Sequence, residues 1–175
     1  MATSAFIAKV PQAERCVRDL RLLYDESARL GVPAHITLLF PFMDAALISE
    51  AVLKRAADAI RTVPSFRFRL AGVGRFPNVA YLAPEPASSF IALTRALVAA
   101  FPEYPPYRGQ HAGIVPHLSV ATAHEEGADD ASKELSAWLE RYGPIESTCT
   151  SVALLENSTG FWREMHGFEL ACAEG

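Results

Sequence analysis

The chain has 175 residues, half of them hydrophobic and 21% charged, with 16 Lys and Arg against 20 Asp and Glu for a net charge of −4. This composition suits one compact globular domain and excludes a disordered polymer, while the absence of a Lys- and Arg-rich run excludes a phosphate-tracking grip on a long nucleic-acid duplex. No apolar run reaches the roughly 18 residues that span a bilayer, and residues 1–10 lack a signal-peptide pattern. Cys16, Cys149 and Cys172 have no paired spacing. They read as reduced thiols, so a cytoplasmic monomer away from any membrane is expected.

Residues 5–10 alternate loosely and predict a strand. Residues 11–28 predict an amphipathic helix, with Cys16, Leu20, Leu23 and Tyr24 at helical spacing, broken by Gly31-Val32-Pro33. Residues 35–40 form a second predicted strand, ended by Pro41. Asp44 can cap a helix running to about residue 62, with Leu47, Ile48, Ala51, Val52 and Leu53 inward. In 65–73, Phe66, Phe68 and Leu70 alternate with Arg67 and Arg69, a strand signature. A turn at Pro77-Asn78 leads to a strand at 79–82.

The order then repeats. A helix is predicted at 88–101, a Pro- and Gly-rich loop at 102–116 and a strand at 117–122. A helix follows at 127–142, with Leu135, Trp138 and Leu139 on one face, then strands at 148–156 and 161–170. Each half reads strand, helix, strand, helix, strand, strand. A single domain over 1–175 is therefore expected, built from duplicated halves of about 1–78 and 79–175. They would fold as two lobes of α+β structure related by a pseudo-twofold axis, each with an antiparallel sheet and helices, around a central cleft.

Two of the five histidines are followed by a hydroxyl residue two places on and an apolar residue three places on. They are His35-Ile36-Thr37-Leu38 and His117-Leu118-Ser119-Val120, and they lie in matching strands, 82 residues apart (35 to 117). On a strand, residues two apart share a face. Each motif therefore presents an imidazole with a hydroxyl and sends two aliphatics to the other face. A half-buried strand histidine bonded to a neighbour explains one such motif; two in matching elements point to a shared site. Imidazole can act as acid or base near neutral pH, and Thr37 and Ser119 can donate hydrogen bonds to a phosphoryl oxygen. Such a site needs neither metal nor cofactor.

Around this pair, Arg75 is a candidate phosphate contact or a solvated hairpin arginine. Phe76 and Trp162 are candidate stacking residues or core aromatics. Residues 103–115, including Tyr107, Arg108 and Gly109, are a candidate lid or a plain connection. His111 and His124 read as surface structural residues, and His166 as a strand residue.

The segments Pro33-Ala34-His35-Ile36-Thr37-Leu38-Leu39-Phe40-Pro41-Phe42 and Pro116-His117-Leu118-Ser119-Val120-Ala121 resemble the two signature motifs of the 2H phosphoesterase superfamily, in its bacterial 2′-5′ RNA ligase-like branch. Gly74-Arg75-Phe76-Pro77, Tyr81-Leu82 and Gly160-Phe161-Trp162 extend the resemblance over nearly the whole chain. It implies the bilobal 2H phosphoesterase-like fold and hydrolysis of a 2′,3′-cyclic or related phosphodiester of a nucleotide or RNA terminus. It also implies that His35 and His117 share the acid and base roles. A cleft that holds a nucleotide without turnover is the alternative.

Overall fold

In the computed structural model, which describes residues 2–109, 113–122 and 124–173, eight strands form two four-stranded antiparallel sheets. Strand β1 (Ser4–Lys9) leads through a short 3-10 turn into helix α1 (Glu14–Tyr24), a single-turn helix α2 (Glu26–Arg29) and strand β2 (His35–Leu39). Helix α3 (Glu50–Ile60) precedes the hairpin β3 (Phe66–Phe76) and β4 (Val79–Glu85), followed by α4 (Ser88–Ala100). Strand β5 (Leu118–Ala121), helix α5 (Glu125–Tyr142) and strands β6 (Ile145–Cys149), β7 (Ser151–Glu156) and β8 (Arg163–Glu169) complete the chain. The sheet orders are β2-β1-β7-β8 and β5-β4-β3-β6. Among the described residues, no helix is long and apolar enough to cross a membrane.

The predicted helix over 11–28 is interrupted at Asp25. Its extended backbone (φ −128°, ψ 107°) stops α1, and its carboxylate accepts from the Ser27 amide to start α2. Asp44 caps a short 3-10 turn, whereas Ser49 caps α3. Leu23, Leu47 and Ala51 face solvent; Val17, Ala56 and Ile60 take the inward positions. The strand expected over 148–156 is two strands. The chain leaves the second sheet after Cys149 and joins the first at Ser151, with β6 pairing β3 and β7 pairing β1.

Each sheet draws strands from both halves of the chain, because β7 and β8 complete the first sheet and β3 belongs to the second. The helices cross over too: α1 packs against β5 and α4 against β2. The main core takes Phe6, Ala8, Ile36, Leu38, Leu82, Leu118 and Val120, while Ala5, Ile7, Ala153 and Leu155 gather with Phe40 and Trp162 in a smaller cluster. Strands β2 and β5 are each the edge strand of their own sheet, and they lie alongside one another where the sheets meet.

Candidate active site

Period-two alternation does locally what the motifs suggest. Ile36 and Leu38 are buried, as are Leu118 and Val120, while His35, Thr37, His117 and Ser119 are half-buried on the opposite face. The two imidazoles are anchored alike. Nδ1 of His35 donates to the Pro33 carbonyl at 2.7 Å, and Nδ1 of His117 donates to the Val115 carbonyl at 2.7 Å, each two residues upstream. A carbonyl only accepts, so each Nδ1 keeps its hydrogen in both charge states. Nε2 is then the nitrogen that gains or loses the proton.

Their surroundings differ. Burial drives His35 down to about 4 from 6.5, assisted by the nearby Arg21 cation and by His117; the Pro33 carbonyl and the Asp25 carboxylate oppose the shift. His35 is therefore neutral at physiological pH, and close enough to His117 to sense its charge. His117 instead sits among aromatics, with the Phe76 ring at 5.2 Å edge-on and the Tyr81 ring at 5.3 Å. Phe76 and Tyr81 pack on one another at 4.6 Å. Tyr81 lies across Gly74 and opposite Ser119 in the sheet. A Cβ on Gly74 would fall 2.2 Å from the Tyr81 ring, so only glycine leaves room for it.

A cleft of about 1070 Å³ opens over this surface, lined by Thr37, Phe76, Tyr107, His117 and Ser119 together with Thr94, Arg95 and Val98 of α4. Tyr107 is fixed by its amide, which donates to the Phe40 carbonyl at 2.7 Å, and its hydroxyl is hydrogen-bonded to Thr37. Burial raises the Tyr107 phenol, which stays protonated.

Four of the candidates thus meet His117 at one cleft, and His35 shares a strand face with Thr37. Arg75 and Trp162 lie elsewhere. Arg75 is ion-paired to Asp129 on α5 and reaches Ser132 at 3.5 Å. Trp162 donates its amide to the Leu30 carbonyl and sets its ring 6.1 Å from Phe40, buttressing the turn that enters β2. His124 caps α5, its Nδ1 accepting from the Gly127 amide at 2.9 Å; His166 lies on β8; His111 falls outside the described residues. Sequence reading missed Arg21, Asp25 and Arg95, and named Tyr81 only within the family resemblance. Val17, Arg21 and Asp25 at spacings of four were a readable sign that a charged pair sits on the buried stripe of α1. The position of Tyr81 depends on cross-strand register, for which the sequence carries no local signal. Among the described residues, no three His, Cys, Asp or Glu side chains gather in a metal-binding group.

Two antiparallel sheets meeting along edge strands that each carry a histidine define a bilobal α+β protein. The comparisons with known proteins fit this. The family model of the 2′-5′ RNA ligase superfamily matches residues 9–160, and the chain belongs to that family, within the 2H phosphoesterases. The fold is similar to that of TT0787 from Thermus thermophilus, with a TM-score of 0.62 at 19% identity, covering 98% of this chain and all of the other. It is also similar to E. coli LigT complexed with 3′-AMP, with a TM-score of 0.61 at 16% identity, covering 96% and 97%. A third similar structure, described as a phosphoesterase, gives a TM-score of 0.62 at 19% identity, covering 98% and 99%. No curated protein matches in sequence.

Proposed function

We propose that the chain hydrolyses a small phosphodiester, a 2′,3′-cyclic phosphate on a nucleotide or an RNA terminus, using His35 and His117 as its base and acid. The observation that carries this reading is the identical Nδ1 anchoring of two histidines on neighbouring edge strands, each with a hydroxyl two residues on. Nε2 of His35, held neutral by its surroundings, takes a proton from the attacking water. Nε2 of His117 gives its proton to the departing ribose oxygen. Thr37 and Ser119 donate to the non-bridging oxygens, and the Tyr107 hydroxyl positions Thr37. The bound phosphate anion raises the proton affinity of both imidazoles, bringing the base closer to working pH. The route uses no metal and no cofactor.

A compact substrate is favoured over a polymer by the cleft itself. Arg95 is the one Lys or Arg among its described lining residues, too few cations for a phosphate backbone. That a similar fold, LigT, has been crystallised with 3′-AMP and with NADP+ supports a nucleotide-sized ligand. The test is hydrolysis of 2′,3′-cyclic nucleotides in EDTA across about pH 5 to 9, with wild type, His35→Ala and His117→Ala compared. Bell-shaped, EDTA-resistant turnover lost in both variants is expected. Tight nucleotide binding without turnover would replace this reading with a binding module.

A further inference from the structure

The α1–α2 corner holds the one ion pair among the described residues in which both side chains are buried. Arg21 is 2% exposed and Asp25 is 3% exposed. Arg21 Nε and Nη2 donate to Asp25 Oδ2 at 3.0 and 2.9 Å, Nη2 also reaches Ser27 Oγ at 3.2 Å, and Nη1 donates to the Val32 carbonyl at 3.1 Å. Asp25 Oδ1 accepts from the Ser27 amide at 3.0 Å and hydroxyl at 2.8 Å, and lies 3.5 Å from the Thr122 hydroxyl. The Thr122 amide donates to the Tyr24 carbonyl at 2.9 Å. Val32 stands just ahead of His35, and Thr122 directly follows β5. One corner therefore grips the entrance of the first histidine strand and the exit of the second.

Stability alone is a weak reason for such a pair. Desolvating two charges offsets most of their attraction, and well-packed apolar side chains serve as well or better. Asp25 could start α2 as a neutral cap. What apolar residues cannot supply is a fork of directed donors that fixes two strands from different sheets at once.

We propose that Arg21 and Asp25 are a positioning pair for both histidines, setting how β2 lies against β5 and hence how the two imidazoles face one phosphate. The pair touches no substrate, since both side chains are almost fully buried and hydrogen-bonded within the corner. In its kinetic part, the proposal rests on the acid–base reading given above.

The charges near His35 are Arg21 and Asp25 from this corner, His117 beside β5, and Lys9, its cross-strand partner on β1, which is itself paired with Glu164 of β8 at 2.7 Å. Tyr107 reaches the same strand face through Thr37. Arg21 lowers the proton affinity of His35 and Asp25 raises it, so removing one or the other has opposite effects.

The experiment combines NMR titration of the imidazoles with steady-state kinetics on Asp25→Asn, Arg21→Met, Arg21→Lys and the double variant Arg21→Met/Asp25→Leu. His35 should titrate about one pH unit lower in Asp25→Asn and about one unit higher in Arg21→Met. In both, kcat should fall roughly tenfold or more while KM stays within about threefold. Arg21→Lys should return the titration to its wild-type value and recover only part of kcat, because an ammonium lacks the fork. An unchanged His35 titration, shifts in the same direction, or wild-type kcat in the single variants would overturn the proposal. If the single variants fail to fold, the double variant decides, because it removes both buried charges together: wild-type kcat overturns the proposal, and lost kcat with unchanged KM supports it. Should wild type show no turnover, the acid–base reading fails, and the opposed titration shifts still test the pair.

Discussion

The two histidine motifs are near copies in sequence and unlike in setting. Both rings hang from a carbonyl two residues upstream at 2.7 Å. Behind His35 lie a buried cation and a buried carboxylate, and its imidazole is pressed toward the neutral form. Against His117 lie two aromatic rings stacked on each other and seated over a glycine. A twofold-like scaffold gives two equivalent proton carriers; an acid and a base require the equivalence to be broken. On the acid–base reading proposed above, the neighbours break it, while the motifs stay the same.

The sharpest way to break this comparison is to delete either ring. His35→Ala and His117→Ala should each cost on the order of 10³-fold in kcat/KM with folding intact, measured on a 2′,3′-cyclic nucleotide. Retained activity in one of them would assign the chemistry to the other motif alone.

Removing a hydroxyl is expected to cost less. Thr37→Val and Ser119→Ala should lower kcat by roughly tenfold to a hundredfold, and Tyr107→Phe by a few-fold, since it acts through Thr37.

A third difference is readable in stability. His35 is held down to about 4 from 6.5, so between those values the unfolded chain binds a proton that the folded chain refuses. This contribution favours folding above pH 6.5 and is lost as the pH falls toward 4. Urea unfolding at both ends of that window should show the loss in wild type and a smaller one in His35→Gln.

Gly74→Ala should displace Tyr81 from its seat, costing about 1–3 kcal/mol by thermal or urea unfolding and perturbing turnover through His117. The smallest effect belongs to Arg75→Ala. That side chain is a third exposed and spent on Asp129, so activity should change less than about twofold and stability by less than about 1 kcal/mol.

Much of this arrangement was legible from residue order. Strand alternation around His35 and His117 depends only on the period of an extended chain, and it holds at both motifs. Two-sheet α+β architecture was likewise readable from the order of elements. What was not legible came from pairing at a distance. The alternation of Phe66, Phe68 and Leu70 with Arg67 and Arg69 breaks at a bulge between Leu70 and Gly72. Beyond it Phe76 turns to the cleft and Arg75 turns toward α5. No residue in that stretch announces the irregularity, since glycines at 72 and 74 are equally compatible with a regular strand. Cys149 and Ser151 fall in different sheets for a similar reason, because both sides of Thr150 have strand-like sequence and only the partners differ.

The exchange of helices and strands between the sheets bears on motion. Proteins that close over a ligand by rotating two lobes have a boundary that few elements cross. Here the chain itself crosses repeatedly: α1, between β1 and β2 in sequence, lies on β5; α4, between β4 and β5, lies on β2; and β7 and β8 finish the sheet that β1 and β2 begin. Swinging one sheet away from the other would strain the connections that lead into and out of both helices. On the proposed two-histidine reading, the strands that carry the imidazoles are thus tied together before any ligand arrives, which leaves less orientational entropy to lose at each turnover.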